Sequence, residues 1–426
     1  MFQKRNVITA VELGTTKICV LIGESDKDGA LAVLGHGEAP SNGTVVKGEI
    51  ADMNGVVAIL SKVFDEANKS AGCEIDRDNI FIAVTGADID HYQGIGTVII
   101  NNEDSKVSQE DVDEAIQNAR VKPIPPDKMI INSFDSYYLL DGTRRLRTPV
   151  DQIASRLEAC IHVIYGNRNR VKNFQNALRD IGFEDGEGNL VFSAVASAYA
   201  LISDHEQENG ALLVEMGSGI TEYIMVHNHG PLSSGVIPVG LDHLANDIAI
   251  GLDLHVSQAR KMIKENHLHN LRREGKSFFE ITSASSGAVR KIPLNSLEKI
   301  IDLRLRETFE MIRKQLKKEN VLNYLGCGGI LSGGAALFPP ALEVYENVFE
   351  FPVRQGIPEE DVSGALTDLE SPRYSTVLGL LKYGSIATYG GGGGRGSIFD
   401  KIMRGVDNMS SPLMRGFSSL KNSIKF

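Results

Sequence analysis

Cysteine is scarce and basic charge is in deficit, and each shortage narrows what the chain can be. The four cysteines, Cys19, Cys73, Cys160 and Cys327, are scattered through 426 residues without a Cys-x-x-Cys pair. Most lie in apolar runs where a thiol packs as a small hydrophobe, so neither a disulfide framework nor a zinc site is expected. Lysine and arginine number 44 against 55 aspartates and glutamates, a formal charge of -11. Phosphate backbones select basic surfaces, which excludes nucleic acid as a general partner and makes any attraction to phosphate local. No stretch reaches the roughly 18 apolar residues of a membrane span. The polar start, Met1 to Asn6, runs straight into a β-like segment without the layout of a signal peptide. A cytosolic protein is expected, with any membrane contact peripheral. The Gly-x-x-x-x-Gly-Lys spacing of a P-loop is also absent. His162 and the pair His267 and His269 lack a third ligand at metal spacing and receive no role.

With 42% apolar residues the chain can bury a large core, more than one domain's worth. Two β-rich runs, Val7 to Val11 and Ile18 to Ile22, flank the turn Glu12-Leu-Gly-Thr-Thr-Lys17 and read as a hairpin. The same design returns about two hundred residues later: Ala211 to Val214, then Glu215-Met-Gly-Ser-Gly-Ile-Thr221, then Tyr223 to Val226. An acid opens the turn in both copies, which implies two related lobes facing one cleft. Apolar residues at helical spacing over Val112 to Ala119 and Val171 to Leu178 alternate with the strands and indicate an α/β class. Between Thr85 and Tyr165, two extended runs (Gly96 to Ile100, Cys160 to Ile164), one helix and the turn Lys122-Pro-Ile-Pro-Pro126 suggest an inserted α+β subdomain. Leu297 to Leu316 carries one apolar face and reads as a long core helix. Thr388 to Gly396 is a glycine linker that cannot bury a core.

The chemistry is expected at three glycine-bearing turns. In the first, backbone N–H groups near Gly14, the hydroxyls of Thr15 and Thr16, and the Lys17 ammonium can receive a phosphate. The second, Gly217, Ser218 and Gly219, supplies a facing set. The third, Gly326 to Ala336, follows an expected strand and precedes the helical stretch Pro340 to Val348. There, Gly333, Gly334 and Ala335 leave room for a base or ribose.

The tail has its own pattern. Leu413, Met414, Phe417, Leu420 and Ile424 line one face of a helix, while Arg415, Lys421 and Lys425 lie on the other. Five basic and two acidic residues follow Gly396, so a helix starting near Ser411-Pro412 suits an anionic membrane surface. Ile398, Phe399, Ile402, Met403 and Val406 form a weaker second stripe.

The order of two hairpin turns and then Gly-Gly-Ala resembles the actin, sugar-kinase and heat-shock chaperone superfamily, whose lobes clamp ATP with magnesium. Within it the chain resembles the FtsA family of bacterial cell-division proteins over essentially its whole length. Arg156-Leu-Glu-Ala-Cys-Ile-His-Val163 and Tyr374-Ser-Thr-Val-Leu-Gly-Leu-Leu-Lys-Tyr-Gly384 carry that resemblance most specifically. It implies an actin-like two-lobed α/β fold with a 1C-like insert and a C-terminal amphipathic helix. Subdomain 1A would take 1–84, 166–200 and 370–387, the insert 85–165, subdomain 2A 201–245 and 313–369, and subdomain 2B 246–312. A linker over 388–397 and a membrane tail over 398–426 would follow.

The resemblance further implies that the chain binds ATP and Mg2+, polymerises with itself, tethers FtsZ filaments to the cytoplasmic membrane at the division site, and recruits later division proteins. In the family pattern aspartates open the two phosphate turns and hold magnesium through water, where this chain has Glu12 and Glu215. Glu-Pro is usual where Ser193-Ala194 stands. These departures fit weak or absent ATP hydrolysis; they equally fit a variant with shifted magnesium and slow hydrolysis. A small-molecule kinase and a pilus-type membrane-assembly scaffold are the rival readings on the same fold.

Overall fold

The computed structural model describes residues 6–26, 31–73, 75–121, 123–183, 189–358, 362–364 and 369–389. Its first lobe opens with an antiparallel meander of β1 (Val7–Leu13), β2 (Lys17–Ser25) and β3 (Leu31–Pro40). The two-residue strands β4 (Val45–Val46) and β5 (Glu49–Ile50) lead to helix α1 (Met53–Ala71) and β6 (Ile80–Val84). Asp52 caps α1 by accepting from the Gly55 N–H, and Gly72 ends it in the left-handed conformation at φ 61°. This matches the usual polar start and glycine stop of a helix. α1 lies close on the sheet because β3 has glycines beneath it: a Cβ on Gly37 would stand 2.1 Å from the Val63 carbonyl oxygen.

The chain then forms the insert: β7 (Asp90–Ile99), α2 (Gln109–Arg120), β8 (Lys128–Leu140), β9 (Arg144–Leu146) and β10 (Arg156–Asn167). Its four strands run in the order β7-β10-β8-β9. Sequence pattern indicates only its first and last strands in chain order, β7 and β10. β8 escapes it because Asn132, Ser133, Asp135 and Ser136 interrupt the apolar run, although its side chains alternate in burial. Helix α3 (Arg168–Asp180), β11 (Asn189–Phe192) and α4 (Ser193–Leu201) return the chain to the first lobe.

The second lobe begins with α5 (Asp204–Asn209) and repeats the meander as β12 (Ala211–Met216), β13 (Thr221–His227) and β14 (Gly230–Ile237). Helices α6 (Leu241–Leu252), α7 (Val256–Lys264) and α8 (His267–Arg273), the hairpin β15 (Phe278–Thr282) and β16 (Val289–Pro293), and the long α9 (Leu294–Lys318) pack over it. β17 (Gly328–Ser332), α10 (Pro339–Phe349) and β18 (Val353–Gln355) complete the sheet β14-β13-β12-β17-β18. The expected order of strand and then glycine cluster is corrected here, because β17 runs inside the cluster. Gly329 is in the strand because Tyr345 and Phe351 crowd it, each 2.8 Å from where a Cβ would sit.

β19 (Val362–Gly364) closes the first sheet, β11-β6-β1-β2-β3-β19, and α11 (Ser375–Tyr389) packs beneath it. Thr388 and Tyr389, expected in the linker, lie in α11. Two apolar clusters form the core, and the first extends from the first lobe into the second lobe's sheet at Leu213, Ile224 and Ile330. α4, with eight of its nine residues buried, and α11 cross between the lobes. They meet at Gly379, where a Cβ would lie 1.8 Å from the Ala196 carbonyl oxygen. The insert also touches the second lobe: Ser136 Oγ donates to the Pro231 carbonyl at 2.8 Å, and the Arg145 guanidinium lies 3.8 Å from the Tyr137 ring centroid and 5.2 Å from that of Tyr324.

Candidate functional site: two turns and an acid cluster

Both predicted phosphate turns close in the same way. The Gly14 N–H donates to the Lys17 carbonyl at 2.8 Å, and the Gly217 N–H donates to the Ile220 carbonyl at 2.9 Å. Register places the opening acids at equivalent positions, Glu12 opposite Cys19 and Glu215 opposite Glu222. The turns meet across the cleft: a Cβ on Gly219 would stand 2.8 Å from Thr15 Oγ1 and 2.9 Å from the Lys47 Cα. Only glycine fits there. Thr15 and Ser218 are half-buried, and Thr16 faces solvent.

The third turn lies beside the second because β12 and β17 are parallel neighbours, with Glu215 paired to Ser332. Gly333, at φ 75°, packs against the Met216 backbone, while an added Cβ on Gly334 would meet only Leu241 Cδ1, at 4.0 Å. Ala335 turns its methyl into the core. In both lobes the turns lie at the carboxyl ends of parallel strands, where α/β folds leave room for ligands.

Three carboxyls and one lysine set the charge. Lys17 Nζ is buried and pairs with Glu12 Oε2 at 2.8 Å, and it stands 4.8 Å from the Tyr374 ring centroid. Burial opposes the ammonium, but Cys19 and Glu12 outweigh it and hold its pKa above the ordinary value. Glu215 accepts from Ser197 Oγ of α4 and, at 2.6 Å, from Thr376 Oγ1 of α11. Burial raises its pKa to about 7, the two hydroxyls resist that rise, and Glu12 adds to it. Glu222 is buried and accepts from Thr85 Oγ1 of the first lobe at 2.7 Å. Burial, and then the neighbouring Glu215, push its pKa well above the usual carboxylate value. Ser193 Oγ donates to the Val84 carbonyl at 3.2 Å, so this position offers a tied hydroxyl where the family pattern offers an acid.

The donor set fits a magnesium ion held through water, and does not fit one bound directly. Glu12 retains Oε1 beyond its pair with Lys17, and each Glu215 oxygen keeps a lone pair beyond its hydroxyl bond. Sequence reasoning missed Glu222, Ser197 and Thr376. A glutamate inside the apolar strand Thr221–His227 was the available signal for the first; the two hydroxyls become visible only when α4 and α11 cross. The expected membrane-binding residues Leu413, Met414, Arg415, Phe417, Leu420, Lys421, Ile424 and Lys425, the expected stripe Ile398 to Val406 and the expected linker beyond Tyr389 lie outside the described residues.

Comparison with known proteins adds to this geometry. The family model "Cell division protein FtsA" matches residues 212–379, and the model "SHS2 domain inserted in FTSA" matches 86–165. The chain is 30% identical to the cell division protein FtsA of Borreliella burgdorferi over 391 residues, covering 89% of this chain and 91% of that one. It is 29% identical to FtsA of Pseudomonas aeruginosa over 385 residues, covering 90% of each. Among solved structures, a "PilM-PilN type IV pilus biogenesis complex" is similar with a TM-score of 0.58 at 15% identity, covering 89% of this chain and 98% of that one. This last likeness is one of fold alone; the fold of this chain is α/β and actin-like, with its inserted subdomain at 86–165.

Proposed function

The chain belongs to the FtsA family of cell-division proteins, and on that premise we propose that it is an ATP-binding adaptor that polymerises and tethers FtsZ filaments to the cytoplasmic membrane. The observation that carries the nucleotide reading is the pair of like turns meeting at Gly219 and Thr15. Backbone N–H groups of Gly14, Thr15 and Gly217 to Gly219, with the Lys17 ammonium, would hold the phosphates. Gly333 and Gly334 would admit the base and ribose. Glu12 and Glu215 would hold Mg2+ through water, where the ion supplies charge neutralisation for the phosphates. Glu215 is shared with two hydroxyls and Ser193 brings no acid, which supports weak or absent hydrolysis.

Binding between the lobes would bias the α4–α11 crossing and so the contacts through which copies assemble. Assembly would set many tails on one anionic membrane surface. A single tail is a marginal helix of about fifteen residues that orders on lipid and detaches readily; an array holds by multivalency. The insert would receive later division proteins. For FtsZ itself, the second lobe offers a groove of about 540 Å³ between α6 and α9, lined by Asp247, Ile250, Ile300, Leu303, Arg304 and Glu307. Ile250 is 73% and Leu303 56% exposed there, an apolar pair rimmed by charge that suits a short peptide segment.

Isothermal titration of ATP into full-length protein tests the nucleotide reading. Lys17→Met removes a charge-assisted contact of about 1.5–3 kcal/mol, so affinity should fall about tenfold or more. Unchanged affinity in that variant, or no ATP binding by the wild type, refutes it.

A further inference from the structure

Cysteine spacing in the sequence gives no metal motif, yet the β2–β3 register assembles a mixed donor set. Cys19 pairs with Glu38, and Leu21 with His36. Gly35 and Gly37 point at α1, so alternation turns His36 and Glu38 to the other face of the sheet, the face of Cys19 and Tyr374. The Cys19 thiol, a His36 ring nitrogen and a Glu38 carboxylate oxygen all lie within 4.8 Å of one another. We propose that Cys19, His36 and Glu38 form a binding site for one borderline divalent cation of the zinc type, with water as the fourth ligand.

The chemistry selects the class. Bonds of about 2.0–2.3 Å to a tetrahedral ion set its ligand atoms about 3.3–3.8 Å apart, so the three side chains need close by only about an ångström. Calcium and magnesium require several oxygens, and this site has a single carboxylate. Thiolate and imidazole suit zinc. Glu38 is also prepared: its Oε1 faces Arg373 Nη2 at 3.4 Å, and the Tyr374 hydroxyl lies beside the same carboxylate. His36 meets the Tyr374 ring edge to face, with centroids 5.9 Å apart, which fixes the imidazole plane.

Charge balances within the ligand set. On binding, the hydrated ion loses all but one water, a metal–sulfur bond forms, and the Cys19 S–H proton leaves to buffer. The thiolate and the Glu38 carboxylate then neutralise the ion's two charges, so the nearby Arg373 and the Lys17–Glu12 pair face a neutral centre. Cys19 is buried and a thiol binds metal as thiolate, so the metal must displace a proton and affinity should increase with pH. Cys19 is the register partner of Glu12, so the site adjoins the phosphate turn, but its three ligands are its own and its existence does not depend on the nucleotide reading.

Full-length protein, stripped with chelator and dialysed, is titrated with Co2+ and then Zn2+. We expect one ion per chain, one proton released, a near-ultraviolet sulfur-to-cobalt charge-transfer band that Zn2+ abolishes, and X-ray absorption of the Zn2+ form showing one sulfur among nitrogen and oxygen scatterers. Cys19→Ala should remove the band, and His36→Ala and Glu38→Gln, both at half-buried positions, should each weaken binding about tenfold or more. Absence of a sulfur scatterer in the wild-type protein overturns the assignment whether or not the Cys19 variant folds. So does a band that persists in Cys19→Ala, or affinity unmoved by His36→Ala and Glu38→Gln.

Discussion

Replacing Glu215 by glutamine should stabilise the protein in alkaline buffer and leave it unchanged in acid. The Glu215 carboxyl titrates near pH 7, against 4.5 for an ordinary glutamate, chiefly because it is buried. Below about pH 4.5 it is protonated in both folded and unfolded chains and costs nothing. Between about pH 4.5 and 7 the unfolded chain loses the proton while the folded one keeps it, so stability falls as pH rises, by at most about 1.4 kcal/mol per unit. Over the whole window the loss is about 3 kcal/mol. Glutamine keeps the shape and cannot ionise, and Ser197 and Thr376, themselves 3.0 Å apart, can turn their hydroxyls to suit an amide. Glu222 is pushed in the same direction partly by Glu215, so the variant also relieves that repulsion, which adds to its advantage at high pH. Urea unfolding of nucleotide-free wild type and Glu215→Gln from pH 5 to pH 8 reads this directly. The advantage of the variant should grow from near zero to about 2–3 kcal/mol. A difference independent of pH, or a variant less stable at pH 8, would refute the buried, hydroxyl-bound placement of this carboxyl.

Three further outcomes follow from the site and the tail. Gly219→Val would drive a side chain into Thr15 and the Lys47 backbone, so ATP affinity measured by calorimetry should drop about tenfold or more while the circular dichroism spectrum is retained. Leu303→Glu places a charge in the α6–α9 groove and should abolish co-sedimentation with FtsZ polymers without changing ATP affinity; retained co-sedimentation excludes that groove. Phe417→Glu, with Ile402→Glu to disable the upstream stripe, should release the protein from anionic vesicles in a flotation assay and leave ATP binding intact.

Much of the site was legible because hairpins are local. Alternation and a glycine turn are enough to place Glu12 and Glu215 at equivalent points of two meanders, and the register bears this out. The long helix also followed from periodicity: the apolar face of Leu297 to Leu316 lies within α9, which runs from Leu294 to Lys318. What stayed hidden depends on contacts distant in sequence. Glu215 is fixed by Ser197 and Thr376, which belong to two crossing helices, and Glu222 reaches Thr85 in the other lobe. No spacing rule relates such positions. Cys19, His36 and Glu38 were invisible for a related reason: two strands bring them together, and their intervals match no single-segment metal motif. β8 was missed because its inward side chains include Asn132 and Ser136, which are buried through specific hydrogen bonds to Phe192 and Pro231 and so break the apolar pattern.

We propose that nucleotide-dependent assembly of this chain carries FtsZ filaments to a membrane. Fluorescence imaging of labelled FtsZ filaments on supported anionic bilayers, with full-length protein and ATP, tests it most directly. Filaments should coat the bilayer with wild-type protein, and stay in solution when the tail beyond Gly396 is removed or ATP is withheld. Filaments that remain in solution with the wild-type protein and ATP, while the protein itself sits on the bilayer, would contradict it.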